Sequence, residues 1–202
     1  ADDSMLIFTS SDRKSMSQED LYYSIRKNRK WLKAVKIGTP VNTTGSEGAQ
    51  TISADGKTMV FTACLRSDGF GSCDLYISKK KGDKWSIPVN IGQPINSPYK
   101  ESQPSLSADG KTLYFVSNKP GGKGKFDIWQ SNFVNGKWAT PLNLGDSINT
   151  KEDELAPFIH YDDQTLYFSS EGHLGMGGSD IFISRKLAND GWSSAQNLGY
   201  PI

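Results

Sequence analysis

The chain has 202 residues, with 23 Lys and Arg against 22 Asp and Glu and a net charge of +1, a balance that excludes a broad electrostatic field for nucleic acid or an anionic membrane surface. Five Trp, eight Tyr and nine Phe are an apolar load that needs burial, which argues against disorder. The longest nearly apolar stretch, Met59 to Leu65, is far short of the ~20 residues of a membrane span.

Along the chain the same landmarks recur at long period. Phe8, Phe61, Phe115 and Phe168 are separated by 53, 54 and 53 residues. Asp20, Asp74, Asp127 and Asp180 keep that spacing, as do Trp31, Trp85, Trp138 and Trp192, and Gly38, Gly92, Gly145 and Gly199. In three copies Asn42, Asn96 and Asn149 precede Glu47, Glu101 and Glu154 by five residues. The units run approximately over 1–46, 47–100, 101–153 and 154–202.

In the first unit, residue 1 aligns with Ala54, inside a turn, so the innermost strand of the other units is missing. Ser17 to Trp31 opens like a capped amphipathic helix. Its register partners, SCDLYISKKKGDKW and KFDIWQSNFVNGKW, read as strand, hairpin, strand, and the repeat overrules the local helix signal. In the second unit Cys64 and Cys73 fall at the end of one strand and the start of the next. Two readings stand, a cross-strand disulfide or a pair of buried thiols. We expect the disulfide, contributing ~2–3 kcal/mol for so short a loop and fitting an oxidising compartment.

The third unit shows the complete pattern. Gln103 to Ser107 is a strand ended by the Ala108-Asp109-Gly110-Lys111 turn, and TLYFVS follows with alternating, β-branched and aromatic character. After a Gly-rich loop come FDIWQSNF, an Asn135-Gly136 hairpin and WATPLNLG. The fourth unit replaces Ser-Ala-Asp-Gly-Lys by His160-Tyr161-Asp162-Asp163-Gln164, and the loss of Gly predicts a differently bent blade. Four antiparallel strands per unit, stacked so that each sheet covers its neighbour, describe an all-β fold, a β-propeller of about four four-stranded blades. Just under four units predict either part of a larger ring or a piece that a partner strand completes, and we expect the first.

The segments PSLSADGKTLYFVSNKPGGKGKFDIW (104–129) and TISADGKTMVFTACLRSDGFGSCDLY (51–76) resemble the WD40-like PD40 repeats of bacterial envelope propellers, among them the Tol-system propeller and modules of OmpA-family lipoproteins. NLGDSINTKEDELAPF (143–158) is most similar to the OmpA-family version, found in periplasmic proteins and in a peptidoglycan-anchored component of type IX secretion. The resemblance implies a periplasmic location and a protein partner of the cell envelope. Nothing matches the peptidoglycan-binding OmpA domain itself.

Other chemistries are poorly supported. The two Gly-Lys-Thr triplets lack the preceding Gly and following helix of a phosphate loop. Gly121-Gly122-Lys123-Gly124 and Gly177-Gly178-Ser179-Asp180 echo calcium nonapeptides without their period of nine. No metal site or cofactor is expected. Carboxylates that recur in every unit, Asp20, Asp74, Asp127 and Asp180 with Glu47, Glu101 and Glu154, suit a structural job such as binding turn amides. The non-repeated ones are Asp68, Asp146, Glu152, Asp153 and Glu171, with no Ser-His-Asp or Cys-His order. His160 reads as a structural residue near the axis and His173 as a solvated loop residue.

Function is expected where the units differ, in the loops between second and third strands. These carry Arg13, Lys14, Arg66, Phe70, Lys119, Lys123, Lys125, His173 and Met176. We read this loop face, with Arg13, Arg66, Phe70, Lys119, Lys123, Lys125 and His173 as candidate contacts, as the binding surface of a non-catalytic scaffold. The alternative is a carbohydrate-binding or glycoside-cleaving propeller. Basic hairpins at residues 26–30 and 79–81 read as solubilising, and neither nucleic acid nor membrane insertion is expected.

Overall fold

The computed structural model describes residues 4–11 and 18–202, all strand, turn and loop. In the first sheet β1 (Met5–Ser11) pairs with β2 (Glu19–Lys27), which also carries β3 (Lys30–Trp31) and β4 (Val35–Lys36). The second holds β5 (Ser46–Ile52), β6 (Thr58–Cys64), β7 (Cys73–Lys81), β8 (Lys84–Trp85) and β9 (Val89–Asn90). The third holds β10 (Glu101–Leu106), β11 (Thr112–Ser117), β12 (Asp127–Val134), β13 (Lys137–Trp138) and β14 (Leu142–Asn143). The fourth holds β15 (Glu154–Ile159), β16 (Thr165–Ser170), β17 (Asp180–Arg185) and β18 (Gln196–Asn197). The sheets are antiparallel throughout and form four blades of a β-propeller. The helix-like segment is strand β2, because only an extended chain lays Leu21 against the second blade.

The outer strand of the first three blades is split into two short pieces rather than continuous. Pro88 and Pro141 lie in two of the gaps, where a missing N–H is tolerated at a sheet edge. A serine on the third strand spans the break in every blade. Ser24, Ser78, Ser131 and Ser184 donate their hydroxyls to the carbonyls of Leu32, Ser86, Ala139 and Ser193 at 2.6–2.7 Å. These serines are a further repeated landmark.

Consecutive blades bury apolar side chains between them. Leu21 and Val41 meet Met59, Phe61 and Tyr76; Val60, Leu75 and Ile95 meet Leu113, Phe115 and Trp129; Tyr114, Val116, Ile128 and Ile148 meet Leu166, Phe168, Phe182 and Trp192. Each fully buried side chain of this size contributes roughly 2–3 kcal/mol of transfer free energy. Each asparagine of the interblade connection pegs that connection back onto the blade it leaves. Asn42, Asn96 and Asn149 accept from the N–H and donate to the C=O of Leu21, Leu75 and Ile128, at 2.8–3.1 Å. The amide thus supplies the pairing an additional strand would have supplied.

Each inner strand has a bulge on a left-handed residue, Ala49, Gln103 or Ala156, with φ of 45°, 52° and 51°. The bulge turns that residue's N–H onto the preceding blade, where Thr9 Oγ1, Thr62 Oγ1 and Gln103 Oε1 accept it. The fourth blade's turn is not bent differently, contrary to the sequence expectation. Asp163 adopts φ 54° where Gly56 and Gly110 have 69° and 71°, and the backbone bonds of the turn are conserved. An aspartate tolerates that conformation, and its Oδ1 also accepts from Ala108 N of the third blade. Among the described residues, strands of the first and fourth blades make no contact with each other.

Candidate interaction face

At the start of β5, β10 and β15, as the second residue of β5 and the first of the other two, stands a glutamate whose carboxylate is wholly buried, Glu47, Glu101 and Glu154. Each is held by the residue four positions earlier, which gives both its N–H and its hydroxyl: Thr43, Ser97 and Thr150, at 2.5–2.9 Å. Ser117 and Ser170 add a hydroxyl to Glu101 and Glu154. Burial nevertheless pushes the carboxyls of Glu101 and Glu154 above the usual range.

Beside each glutamate stands a basic side chain over an aromatic pair. Arg66 forms an ion pair with Glu47 at 3.0 Å and lies over Phe61 and Tyr76. Lys119 lies over Phe115 and Trp129, with its ammonium 4.2 Å from the indole centroid; burial lowers its pKa to about 8, and the Glu101 charge opposes that shift. His173 packs against Phe168 and Phe182, its Nε2 2.8 Å from the Ile148 carbonyl. These three expected surface contacts are thus turned inward, and His173 is not a solvated loop residue. Aromatic faces attract the Arg66 and Lys119 cations, Arg66 adds an ion pair with Glu47, and at Lys119 the cost of desolvation exceeds the attraction of Glu101.

The recurring aspartates hold the loops. Asp74 accepts the N–H groups of Phe70 and Gly71, Asp127 those of Lys123 and Gly124, and Asp180 those of Met176 and Gly177. Burial raises the carboxyl pKa of Asp74 and Asp127. Asp20 pairs with Lys36 at 2.6 Å. Close approach then locks loop to connection: a Cβ on Gly71 would sit 1.7 Å from the Tyr99 carbonyl oxygen. Cys64 and Cys73 are joined as a disulfide across the base of the same loop.

On this frame Phe70, Lys123 and Lys125 remain exposed, with Lys123 paired to Asp146 and Lys125 to Glu152, each at 2.7 Å. Arg13 and Lys14 lie outside the described residues. The structure adds Leu65, Tyr99 and Leu174, which join Phe70 and Met176 as exposed apolar groups at this end of the blades. Leu65 and Leu174 were visible in the sequence as apolar residues in polar, Gly-rich loops; Tyr99 lies in a connection and carried no such signal.

At the opposite end of the inner strands a cavity of about 700 Å³ opens on the axis, lined by Ser4, Met5, Ile7, residues 50–56, Lys80, Trp85, Pro104, Ser105, Pro157 and Phe158. Its one carboxylate, Asp55, is bonded to Ser53 Oγ and Lys57 N within its own turn. Asp68 instead accepts from Tyr76 Oη, and Asp153 from Phe126 N, both away from this cavity. His160 stands just after β15, Nδ1 3.1 Å from Asp162. No cluster of metal-ligating side chains occurs among the described residues.

No protein-family model matches this sequence, and no curated protein matches it. Solved structures match its fold. TolB from Acinetobacter baumannii superposes with a TM-score of 0.61 at 17% identity, over 98% of this chain and 41% of that one. A nidogen/laminin complex gives a TM-score of 0.61 at 12% identity, over 96% and 61%. An α-L-arabinofuranosidase from Lactobacillus brevis gives 0.59 at 13% identity, over 98% and 72%. The chain therefore spans less than two thirds of the first two of these, and the shared property is the propeller fold.

Proposed function

We propose that this chain is a non-catalytic protein-interaction scaffold of the bacterial cell envelope, and that it binds its partner through the loop end of its blades. The observation that carries this reading is the exposure of Leu65 (87%), Leu174 (96%), Met176 (62%), Phe70 (48%) and Tyr99 (44%) there. Apolar groups rimmed by Lys123 and Lys125, on loops fixed by buried carboxylates, have the composition of a protein-recognition surface. The disulfide suits an oxidising compartment, and with the PD40 resemblance it supports the periplasm. Within that compartment the reading favours an OmpA-family protein acting in type IX secretion or in outer-membrane and peptidoglycan organisation. The lone, turn-bound Asp55 in the axial cavity supports a non-enzymatic role, because glycoside cleavage generally uses two carboxylates.

The test is in-cell crosslinking from the loop face, comparing the native chain with a Phe70→Ser/Leu174→Ser/Met176→Ser variant of unchanged melting temperature. Loss of one defined crosslinked envelope protein supports the reading; retention of that crosslink overturns it. A glycan screen with a hydrolysis assay addresses the carbohydrate alternative, and turnover abolished by Asp55→Asn would replace the scaffold reading.

A further inference from the structure

Toward the hairpin end, the joint between the first and second blades opens into a cleft of about 470 Å³ lined by Tyr23, Ile25, Ile37, Val41 and Trp85, with Lys80 and Lys84 on its hairpin wall. It lies outside the axial part of the joint, since no residue of the inner strand β5 lines it. Met5 pairs with Ile25 across β1 and β2, where the other blades pair Thr58 with Lys79, Thr112 with Asn132 and Thr165 with Arg185. Lys79, Asn132 and Arg185 are exposed although each of their blades has its inner strand. The 41% exposure of Ile25 therefore belongs to the position and not to the axial edge, and the first blade alone among the four places hydrocarbon there.

The facing hairpin departs from the repeat as well. In the third blade Phe133 packs edge-on to Trp138 at 5.1 Å; its counterpart in the second blade is Lys80, whose ammonium stands 5.9 Å from the Trp85 centroid. Residues 26–30 carry four cations, and residues 79–84 carry four more against the single acid Asp83. None of these eight forms a salt bridge among the described residues, whereas Lys36, Arg66, Lys123 and Lys125 toward the loop end each do. Uncompensated positive charge at the rim of an apolar cleft attracts an anion. Besides Lys80, Asp83 and Lys84, the polar side chains of the lining are Tyr23 and Thr39, too few to partner the amides of a peptide or the hydroxyls of a sugar. A hydrocarbon body makes no such demand.

We propose that this cleft binds an anionic amphiphile, with its hydrocarbon chain along Ile25, Ile37 and Trp85 and its head group at Lys80 and Lys84. The volume lies in the ~300–1,000 Å³ range of small-molecule sites. Burial of the chain supplies affinity, and the ammonium groups fix its direction. The cleft is separate from the loop face, so the two readings fail independently.

The experiment titrates the full chain with dodecanoate and with dodecyl phosphate below their micelle concentrations, read by calorimetry and by the NMR shift of the Trp85 indole N–H, assigned with Trp85→Phe. Saturable binding of one ligand per chain that moves the Trp85 signal is expected, the tighter ligand naming the head group. Hexanoate, uncharged dodecyl maltoside and a Lys80→Glu/Lys84→Glu chain should each give at least about tenfold weaker binding. So should Ile25→Asn, which installs the third blade's own residue at that position and is therefore compatible with the fold. Absence of saturable binding, equal affinity for dodecyl maltoside, or binding that leaves the Trp85 signal unmoved overturns the proposal. Self-association that moves the Trp85 signal without ligand also overturns it, by making a second copy the occupant. Binding retained by the Phe70→Ser/Leu174→Ser/Met176→Ser chain keeps this result distinct from the loop-face reading, and binding lost there overturns the proposal by placing the amphiphile on the loops.

Discussion

Arg66 and Glu47 form a 3.0 Å ion pair in which the carboxylate side chain is wholly buried and the guanidinium side chain only 13% exposed. Arg66 NH2 also donates to the Val41 carbonyl at 2.8 Å, so one side chain joins the interblade connection, the inner strand and the aromatic pair. Removing it leaves a buried carboxylate with Thr43 alone. Arg66→Ala is expected to cost about 3 kcal/mol in urea unfolding, and Arg66→Lys to recover part of it. A double variant with Glu47→Gln should cost less than the two single variants added together.

The pH dependence has a defined sign at Lys119. Its folded pKa is about 8, below the ordinary value of 10.5, because the ammonium is desolvated. Between those values the unfolded chain holds a proton that the native chain has released. Stability therefore rises as pH climbs from about 8 toward 10.5, and the gain is lost as pH falls through about 8. The difference in urea midpoint between the native chain and Lys119→Met should follow that window, and a flat difference would contradict it.

Glu101 behaves oppositely. Its folded pKa is raised by burial, so its contribution is complete below the ordinary value near 4.5 and is lost as pH rises through the folded pKa. Glu101→Gln, which keeps the shape and removes the charge, should flatten that part of the stability profile measured by thermal melting.

Reduction of Cys64–Cys73 should lower stability by ~2–3 kcal/mol without changing the far-ultraviolet spectrum. β6 and β7 remain paired from Thr58 to Ala63 without the bridge. A Cys64→Ser/Cys73→Ser variant should have the midpoint of the reduced protein, and the unreduced native chain should resist alkylation.

Asn96→Asp tests the peg that holds the connection after the second blade onto β7. A carboxylate can accept from Leu75 N but cannot donate to Leu75 O or Asn90 Oδ1, so it sets buried oxygens against one another while Leu75 O keeps only the Ile91 N–H. A loss of about 2 kcal/mol is expected, together with faster hydrogen exchange at Leu75.

The repeat made most of the fold legible, because the period of Phe8, Phe61, Phe115 and Phe168 forces one blade after another whatever the local propensity of residues 17–31. The candidate face was less legible. Arg66, Lys119 and His173 occupy loops that any sequence reading places at the surface, and their inward turn depends on aromatic pairs and glutamates brought together from distant strands. The functions of Ser24 and Asn42 were equally hidden, since each binds backbone whose position depends on the assembled sheet.

The four tryptophans divide what each level decided. Sequence alone fixed Trp31, Trp85, Trp138 and Trp192 as equivalent positions on the outer hairpin of each blade. Trp192 is 6% exposed and Trp31 is 47% exposed, although the local chemistry is the same. Periodicity specifies which face of a blade is apolar, but burial is a property of two surfaces in contact. The fourth blade lies against Tyr114 of the third, and the corresponding face of the first has no blade against it among the described residues.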